Sequence, residues 1–111
     1  MTTEKRNDKS VVWMNVFTIK PGKLDEFIAI QSEELQAFAR NGKVLGWLGS
    51  RLYRSVDDNK ATMMSVFESV EAHKSWNEKA DFSEHIKKIG HLIENTEGGY
   101  YTVGESVGIF K

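Results

Sequence analysis

The residues from Val11 to Ile19 constrain the fold most, because they form one strand candidate that is apolar on both faces. The run is rich in β-branched and aromatic residues, which is typical of a strand. Alternate residues place Trp13, Asn15, Phe17 and Ile19 on one face and Val12, Met14, Val16 and Thr18 on the other. A strand with one face in water would alternate apolar and polar residues. This strand therefore needs cover on both sides.

The remaining elements follow from turn residues and helical periodicity. We expect a helix over 23–40 that ends at Asn41-Gly42, strands over 44–54 and 61–67 joined by a turn at 57–60, a helical region over 69–93 with a short break, and a last strand over 100–107 after Gly98-Gly99. Ser69 is placed to cap the second helical region. The order β-α-β-β-α-β predicts an α+β, ferredoxin-like fold with a four-stranded antiparallel sheet.

Length and composition limit the class of protein. The 111 residues fit one domain, which we place at 11–111 behind a flexible N-terminal tail of residues 1–10. The 15 basic and 16 acidic residues leave no basic excess for nucleic acid or an anionic membrane surface. There is no cysteine, which excludes disulfides and thiolate chemistry. No apolar run predicts a membrane span or a signal peptide, so we expect a cytoplasmic protein.

Two helices can cover only one face of the predicted sheet. The second face of the first strand is apolar, and Leu48 and Leu52 extend that property to the next strand. An uncovered apolar surface of this size is typical of an association site. We therefore expect a homodimer that packs through the open sheet face.

The candidate site residues lie on the face that the helices cover. Trp76 and His85 fall on apolar helical stripes, and Asn15 stands on the strand face between Trp13 and Phe17. Each has a structural alternative: Asn15 bonded to a loop carbonyl, Trp76 as core, and His85 half-exposed near a helix end. His73 is interpreted as a surface or interface group. The three histidines share no short spacing, so we predict no metal site.

Three stretches carry a family resemblance: NVFTIKPGK from Asn15, GWLGSRLYRS from Gly46, and FESVEA from Phe67 with Trp76 and FSEH from Phe82. Together they resemble the antibiotic biosynthesis monooxygenase family over about Val11 to Val107. The resemblance implies a dimeric α+β barrel. The family includes cofactor-independent oxygenases of polycyclic quinols and anthrones, haem-degrading monooxygenases, and proteins of unknown role.

The resemblance also implies roles for individual residues. Asn15 and Trp76 match by position the Asn and Trp of the haem-degrading branch. His85 lies nine residues after Trp76, a spacing similar to that of the His in one subgroup of this branch and one short of another. The chain departs from the common pattern at Phe67, where Trp is frequent, and at Trp47, where Pro-Gly-Phe is frequent.

We predict a cofactor-independent monooxygenase that acts on an aromatic or quinol-like molecule. Its catalytic residues would be Asn15, Trp76 and His85, and the substrate would contact Trp13, Phe17, Phe67 and Phe82. Haem degradation by the same three catalytic residues and a non-catalytic dimeric binding module are the alternatives.

Overall fold

The chain folds into a four-stranded antiparallel sheet with helices packed on one face. The structure is a computed structural model and describes residues 10–41 and 44–110. The elements are β1 (Val11–Ile19), α1 (Leu24–Asn41), β2 (Trp47–Arg54), β3 (Lys60–Phe67), α2 (Val70–Lys79), α3 (Ser83–Ile89) and β4 (Ile93–Tyr101), with 3-10 turns at Gly90–Leu92 and Gly108–Phe110. The strand order β2-β3-β1-β4 confirms the ferredoxin-like prediction. The predicted tail up to residue 9, and Gly42, lie outside the described residues.

The second helical region begins and breaks as the sequence predicts. Ser69 caps α2, since its Oγ accepts a hydrogen bond from the Ala72 amide at 3.0 Å. Ala80 is extended and ends that helix, and the Asp81 carboxylate accepts from the Ser83 amide at 3.0 Å where α3 begins. Within the described chain, no helix is both long and apolar enough to cross a membrane.

The predicted start of the last strand is wrong. β4 begins at Ile93, and Gly98 and Gly99 lie inside it, paired with Asn15 and Met14 of β1. The glycine at position 98 leaves room for an aromatic ring: a Cβ there would lie 2.5 Å from Cη2 of Trp13. Gly98 therefore serves packing on this strand and does not interrupt it. Residues 102–107 are not part of a strand.

β2 begins later than predicted and contains an irregularity. Gly46 has φ +86°, and a Cβ there would lie 2.6 Å from Cβ of Ala72, so this turn requires glycine. The pairing with β3 shifts between Trp47 and Gly49, which leaves Trp47 opposite Phe67 and Leu52 opposite Met63. Leu52 packs against the core, so its predicted place on the open face is wrong, whereas Leu48 is exposed.

The two faces of the sheet have different surroundings. The core between sheet and helices consists of Phe17, Ile19, Leu24, Phe27, Ala61, Ile89 and Leu92. On the opposite face, the pairs Val12–Val66, Met14–Met64 and Val16–Thr62 stand side by side across β1 and β3 and are only partly buried. The structure thus places an apolar strip on the face that the helices leave open.

Candidate active site

A cavity of about 140 Å³ lies between the helices and the part of the sheet beyond the core. We call it the aromatic cavity, and it is lined by Trp13, Gln31, Glu34, Leu35, Phe38, Trp47, Ser50, Met63, Ser65, Phe67, His73, Trp76, Phe82 and His85. An apolar cavity of about 150 Å³ holds one benzene molecule. The aromatic cavity therefore matches one aromatic ring in size.

The rings that surround this cavity contact each other in a continuous series. Trp76 is central: its ring lies 5.3 Å from Phe82, 5.6 Å from Phe38, 5.8 Å from His73 and 5.9 Å from Phe67, measured between centroids. The contacts with Phe38 and Phe82 are edge-to-face, which is a favoured geometry for aromatic pairs. This packing fixes the indole as one wall of the cavity.

One ring nitrogen of His85, a residue that lines the cavity, has no hydrogen-bond partner among the described residues. Its Nε2 lies 2.8 Å from the Gln31 side-chain oxygen, and because that oxygen only accepts, Nε2 carries the proton. The neutral ring then has its lone pair on Nδ1, which is buried and has no hydrogen-bond partner among the described residues. Glu34 Oε1 lies 3.7 Å from Nδ1. Nδ1 is therefore placed to accept a proton and to share the resulting charge with Glu34.

The surroundings of His85 act in both directions on its pKa. Burial lowers the pKa of the ring, the negative charge of Glu34 raises it, and the positive charge of Lys88 lowers it again. The net pKa lies below the ordinary value of 6.5, so the ring is neutral at neutral pH. A neutral histidine with an unpartnered nitrogen is the form that a general base requires.

A second histidine, His73, also lines the cavity. It is only 4% exposed, and its Nδ1 lies 2.8 Å from the hydroxyl of Tyr100. The imidazole stacks on Trp13 at 4.8 Å between centroids, with 27° between the planes. Our interpretation of His73 as a surface or interface group is therefore wrong. Trp13 and β4 enclose its ring, and only the tertiary structure brings them there.

The structure separates the seven predicted site residues into two groups. Trp76, His85, Trp13, Phe67 and Phe82 all line the aromatic cavity.

Asn15 and Phe17 do not line this cavity. Phe17 lies in the core and packs on Phe27 at 5.1 Å between ring centroids. Asn15 is half-buried beside Met63, a residue that does line the cavity, and its side chain makes no hydrogen bond to the described residues. Its amide therefore lies outside the cavity lining, although Met63 beside it and Trp13 on the same strand belong to that lining.

Gln31 and Glu34 are polar residues of the site that sequence reasoning missed. Gln31 is only 9% exposed, because it lies on the same helical stripe as Phe27 and Leu35, four residues from each. A polar residue within an apolar helical stripe is the sequence signal that could have identified Gln31 as a site residue. Glu34 is partly buried, and its carboxylate reaches His85 because α3 packs on α1.

The floor of the cavity carries a small hydrogen-bonded group. The hydroxyls of Ser50 and Ser65 lie 2.7 Å apart across β2 and β3, and the Trp47 indole N–H donates to the Ser50 hydroxyl at 2.9 Å. The irregularity in β2 makes this possible by turning Trp47 and Ser50 toward the same face. Among residues 10–41 and 44–110, no group of three or more metal-ligating side chains is present.

The fold and site together describe a small α+β protein with a cavity lined by aromatic rings and two histidines in its wall. Residues 10–88 match the model of one protein family, described as antibiotic biosynthesis monooxygenase. The chain belongs to this family. Among curated protein sequences, none matches this chain.

Solved structures support the same fold. SnoaB from Streptomyces nogalater, a cofactor-independent oxygenase, superposes with a TM-score of 0.72 at 24% identity, over 89% of this chain and 97% of that one. A putative antibiotic biosynthesis monooxygenase from Bordetella bronchiseptica gives a TM-score of 0.73 at 22% identity, over 87% and 99% of the two chains. At these identities the similarity establishes the architecture, and function has to be argued from the site.

Proposed function

We propose that the protein is a cofactor-independent monooxygenase that oxidises a phenolic or quinol-like ring with dioxygen. The observation that carries this proposal is His85, which lines a cavity of one-ring size and has an unpartnered Nδ1 with Glu34 Oε1 3.7 Å away. Family membership and the likeness to a cofactor-independent oxygenase support it. An electron-rich aromatic anion can react with dioxygen directly, so the protein's main task is to remove and return protons.

The reaction balances with dioxygen as the only oxidant. His85 Nδ1 takes the proton of the substrate hydroxyl, and the ring anion forms a carbon–oxygen bond with dioxygen to give a peroxide. The ring C–H proton then leaves, the O–O bond breaks, one oxygen remains as a carbonyl, and the other departs as water. Phenol plus dioxygen thus yields quinone plus water. Glu34 stabilises the protonated His85 during the first step.

Trp76 and Asn15 have supporting roles in this proposal. The Trp76 indole stacks on the substrate ring and orients it, together with Trp13, Phe67 and Phe82. Asn15 donates a hydrogen bond to the developing oxyanion or peroxide in this proposal; its amide makes no hydrogen bond to the described residues, and it stands beside Met63, a residue of the cavity lining. Phe17 acts from the core by supporting the strand that carries Asn15.

We further propose that the working form is a homodimer. The open face carries the partly buried pairs Val12–Val66 and Met14–Met64, with no described helix over them. A second copy, packed sheet against sheet, would remove this strip from water. Such a dimer leaves the helix side of each sheet available for the substrate.

The aromatic cavity does not fit haem. A free His85 nitrogen is a suitable ligand for iron, but a cavity of about 140 Å³ is well below the range of about 300–1,000 Å³ that is typical of cofactor and drug-sized ligands. Titration of haem into the protein is expected to give no saturable Soret shift. A saturable shift that disappears in His85→Ala would favour haem degradation instead.

Hydroquinone under isotopically labelled dioxygen tests the proposal. Mass spectrometry is expected to show one labelled oxygen atom in a hydroxyquinone product, whereas simple autoxidation yields an unlabelled quinone. His85→Ala should lower kcat by about 10²–10⁴-fold, as for a lost general base, and Asn15→Ala by about 10²–10³-fold. His91→Ala is the matched control, since His91 is an exposed histidine outside the cavity.

Two results would contradict the proposal. Undiminished turnover in both His85→Ala and Asn15→Ala would remove their assigned roles. Saturable binding of hydroquinone and related phenols with no labelled product from any of them would favour a non-catalytic binding module.

A further inference from the structure

His73 separates two spaces of the molecule. On one side it lines the aromatic cavity. On the other it lines a surface depression of about 320 Å³, the outer groove, which is formed by Trp13, His73, Lys74, Asn77, Glu78 and Tyr100. Tyr100 lines the outer groove but not the cavity. Among the residues that the structure describes, His73 and Trp13 alone are common to both, and of these two only His73 can exchange protons.

The hydrogen bond between His73 and Tyr100 continues from the cavity wall toward the groove. His73 Nδ1 and the Tyr100 hydroxyl are 2.8 Å apart. The other ring nitrogen, Nε2, makes no hydrogen bond to any described residue, and the ring that carries it lines the cavity. Nδ1 thus links the His73 ring to the Tyr100 hydroxyl, whose residue lines the outer groove.

Packing fixes the orientation of the His73 ring. Trp13 stacks on one side at 4.8 Å, and Phe67 meets the ring edge-to-face at 5.0 Å with 78° between the planes. Trp13 itself lies across Gly98 and contacts Tyr100 at 5.0 Å between centroids. The ring therefore cannot turn away from Tyr100 without disturbing this stack.

Both groups are uncharged at neutral pH. Burial lowers the pKa of His73 and raises the pKa of Tyr100. The charged side chains that share the groove with them are Lys74 and Glu78, which carry opposite charges. A neutral imidazole passes a proton on by accepting it at one nitrogen and releasing it from the other, and a neutral tyrosine hydroxyl does the same at its oxygen.

We propose that His73 and Tyr100 form a proton relay between the aromatic cavity and the outer groove. The relay rests on the proposed oxygenation and serves its second half. When the O–O bond of the peroxide breaks, the departing oxygen takes the Nε2 proton of His73, the Tyr100 hydroxyl proton moves to Nδ1, and a groove water re-protonates Tyr100. Before this, His85 returns the hydroxyl proton to the peroxide, so its Nδ1 is free to take the ring C–H proton and later release it to solvent. The departing oxygen, which holds the returned proton, leaves as water, and no net proton is gained or lost.

Tyr100→Phe removes the relay and keeps the ring. Its matched control is Tyr101→Phe, the next residue of β4, whose side chain lies on the opposite face of the sheet and is 55% exposed. With hydroquinone and labelled dioxygen, we expect kcat of Tyr100→Phe to fall at least tenfold with little change in KM, since general acid–base groups typically contribute about 10²–10⁴-fold. Tyr101→Phe should retain the kcat and KM of the unmodified chain.

Nuclear magnetic resonance of the histidine ring nitrogens tests the relay without turnover. Phenol is the probe, and its addition should shift the His73 Nε2 resonance in the unmodified chain and in Tyr101→Phe. In Tyr100→Phe the two ring nitrogens should show a changed tautomer balance even without phenol, because the partner of Nδ1 is gone.

The outcomes separate the relay from the proposed function. Labelled product from the unmodified chain together with an unchanged kcat in Tyr100→Phe would overturn the relay and leave the oxygenase proposal standing. If no labelled product forms at all, the oxygenase proposal fails. The ring-nitrogen spectra of His73 then show whether the hydrogen-bonded chain from the cavity to Tyr100 exists. A His73 Nε2 resonance that phenol leaves unmoved would overturn the chain in either case.

Discussion

Gly98→Ala tests the packing that orders the site. In the structure, Gly98 lies inside β4, and a Cβ at this position would lie 2.5 Å from Cη2 and 2.6 Å from Cζ2 of Trp13. The indole has little freedom to retreat, because it stacks on His73 and contacts Tyr100. The substitution therefore forces apart the rings that line one side of the aromatic cavity.

Gly99→Ala is the reference for the destabilisation expected from Gly98→Ala, because Gly99 lies in the same strand but a Cβ there would meet no clash. A Cβ at Gly99 would meet Tyr101 ring atoms at 3.6–3.8 Å, which is ordinary contact. Replacing a strand glycine by alanine typically stabilises by about 0.5–1 kcal/mol. Overpacking typically costs about 1–3 kcal/mol. Since both variants share the first effect, Gly98→Ala should be less stable than Gly99→Ala by about 1–3 kcal/mol.

Urea and thermal unfolding measure this difference. Each kcal/mol corresponds to a shift of roughly 4–8 °C in Tm for a domain of about this size. Both variants are compared at several protein concentrations, because Gly99 faces the proposed dimer interface. Trp13→Phe replaces the indole with which the new Cβ would clash by a smaller ring. Gly98→Ala should therefore destabilise the Trp13→Phe variant less than the unmodified chain, and a double-mutant cycle measures the coupling free energy between the two positions. Equal stability of the two alanine variants, or no coupling with Trp13, would refute the packing described here.

Two further predictions concern pH and assembly. Burial lowers the pKa of both His73 and His85, so below the ordinary value of 6.5 these histidines bind protons more readily in the unfolded chain than in the folded one. Tm should therefore be constant above about pH 7 and fall as the pH drops toward about 5. The fall in Tm should be smaller in His73→Gln or His85→Gln. A pH-independent Tm in the unmodified chain would contradict this. Met64→Lys places a charge in the centre of the open face, and light scattering should show a dimer for the unmodified chain and a monomer for the variant. A variant with unchanged mass would show that this face is not the interface.

Much of the fold was predictable because local patterns and global order agree. The strand over 11–19, the capping Ser69, the break before Phe82 and the order of elements were all read from periodicity and turn residues, and the structure confirms them. The errors in the predicted strands occur near glycines, because a glycine can either interrupt a strand or make room for a packed side chain within it. Gly98 and Gly99 resemble a chain break in sequence, but one of them makes room for Trp13. The shifted pairing after Trp47 likewise changes which face Leu52 occupies.

The sequence by itself determined the set of groups available for chemistry: aromatic rings and the His85 imidazole on the covered face, and no cysteine or metal-binding pattern. It also placed Trp76 and His85 on helical faces directed at the sheet. Only the tertiary structure decided what each imidazole does, because hydrogen-bond partners come from distant elements. Gln31 of α1 fixes the tautomer of His85 from 54 residues away, and Tyr100 of β4 binds His73 from 27 residues away. Periodicity reports which face a side chain takes within its own element, whereas a proton's position depends on the neighbour that packing brings to it.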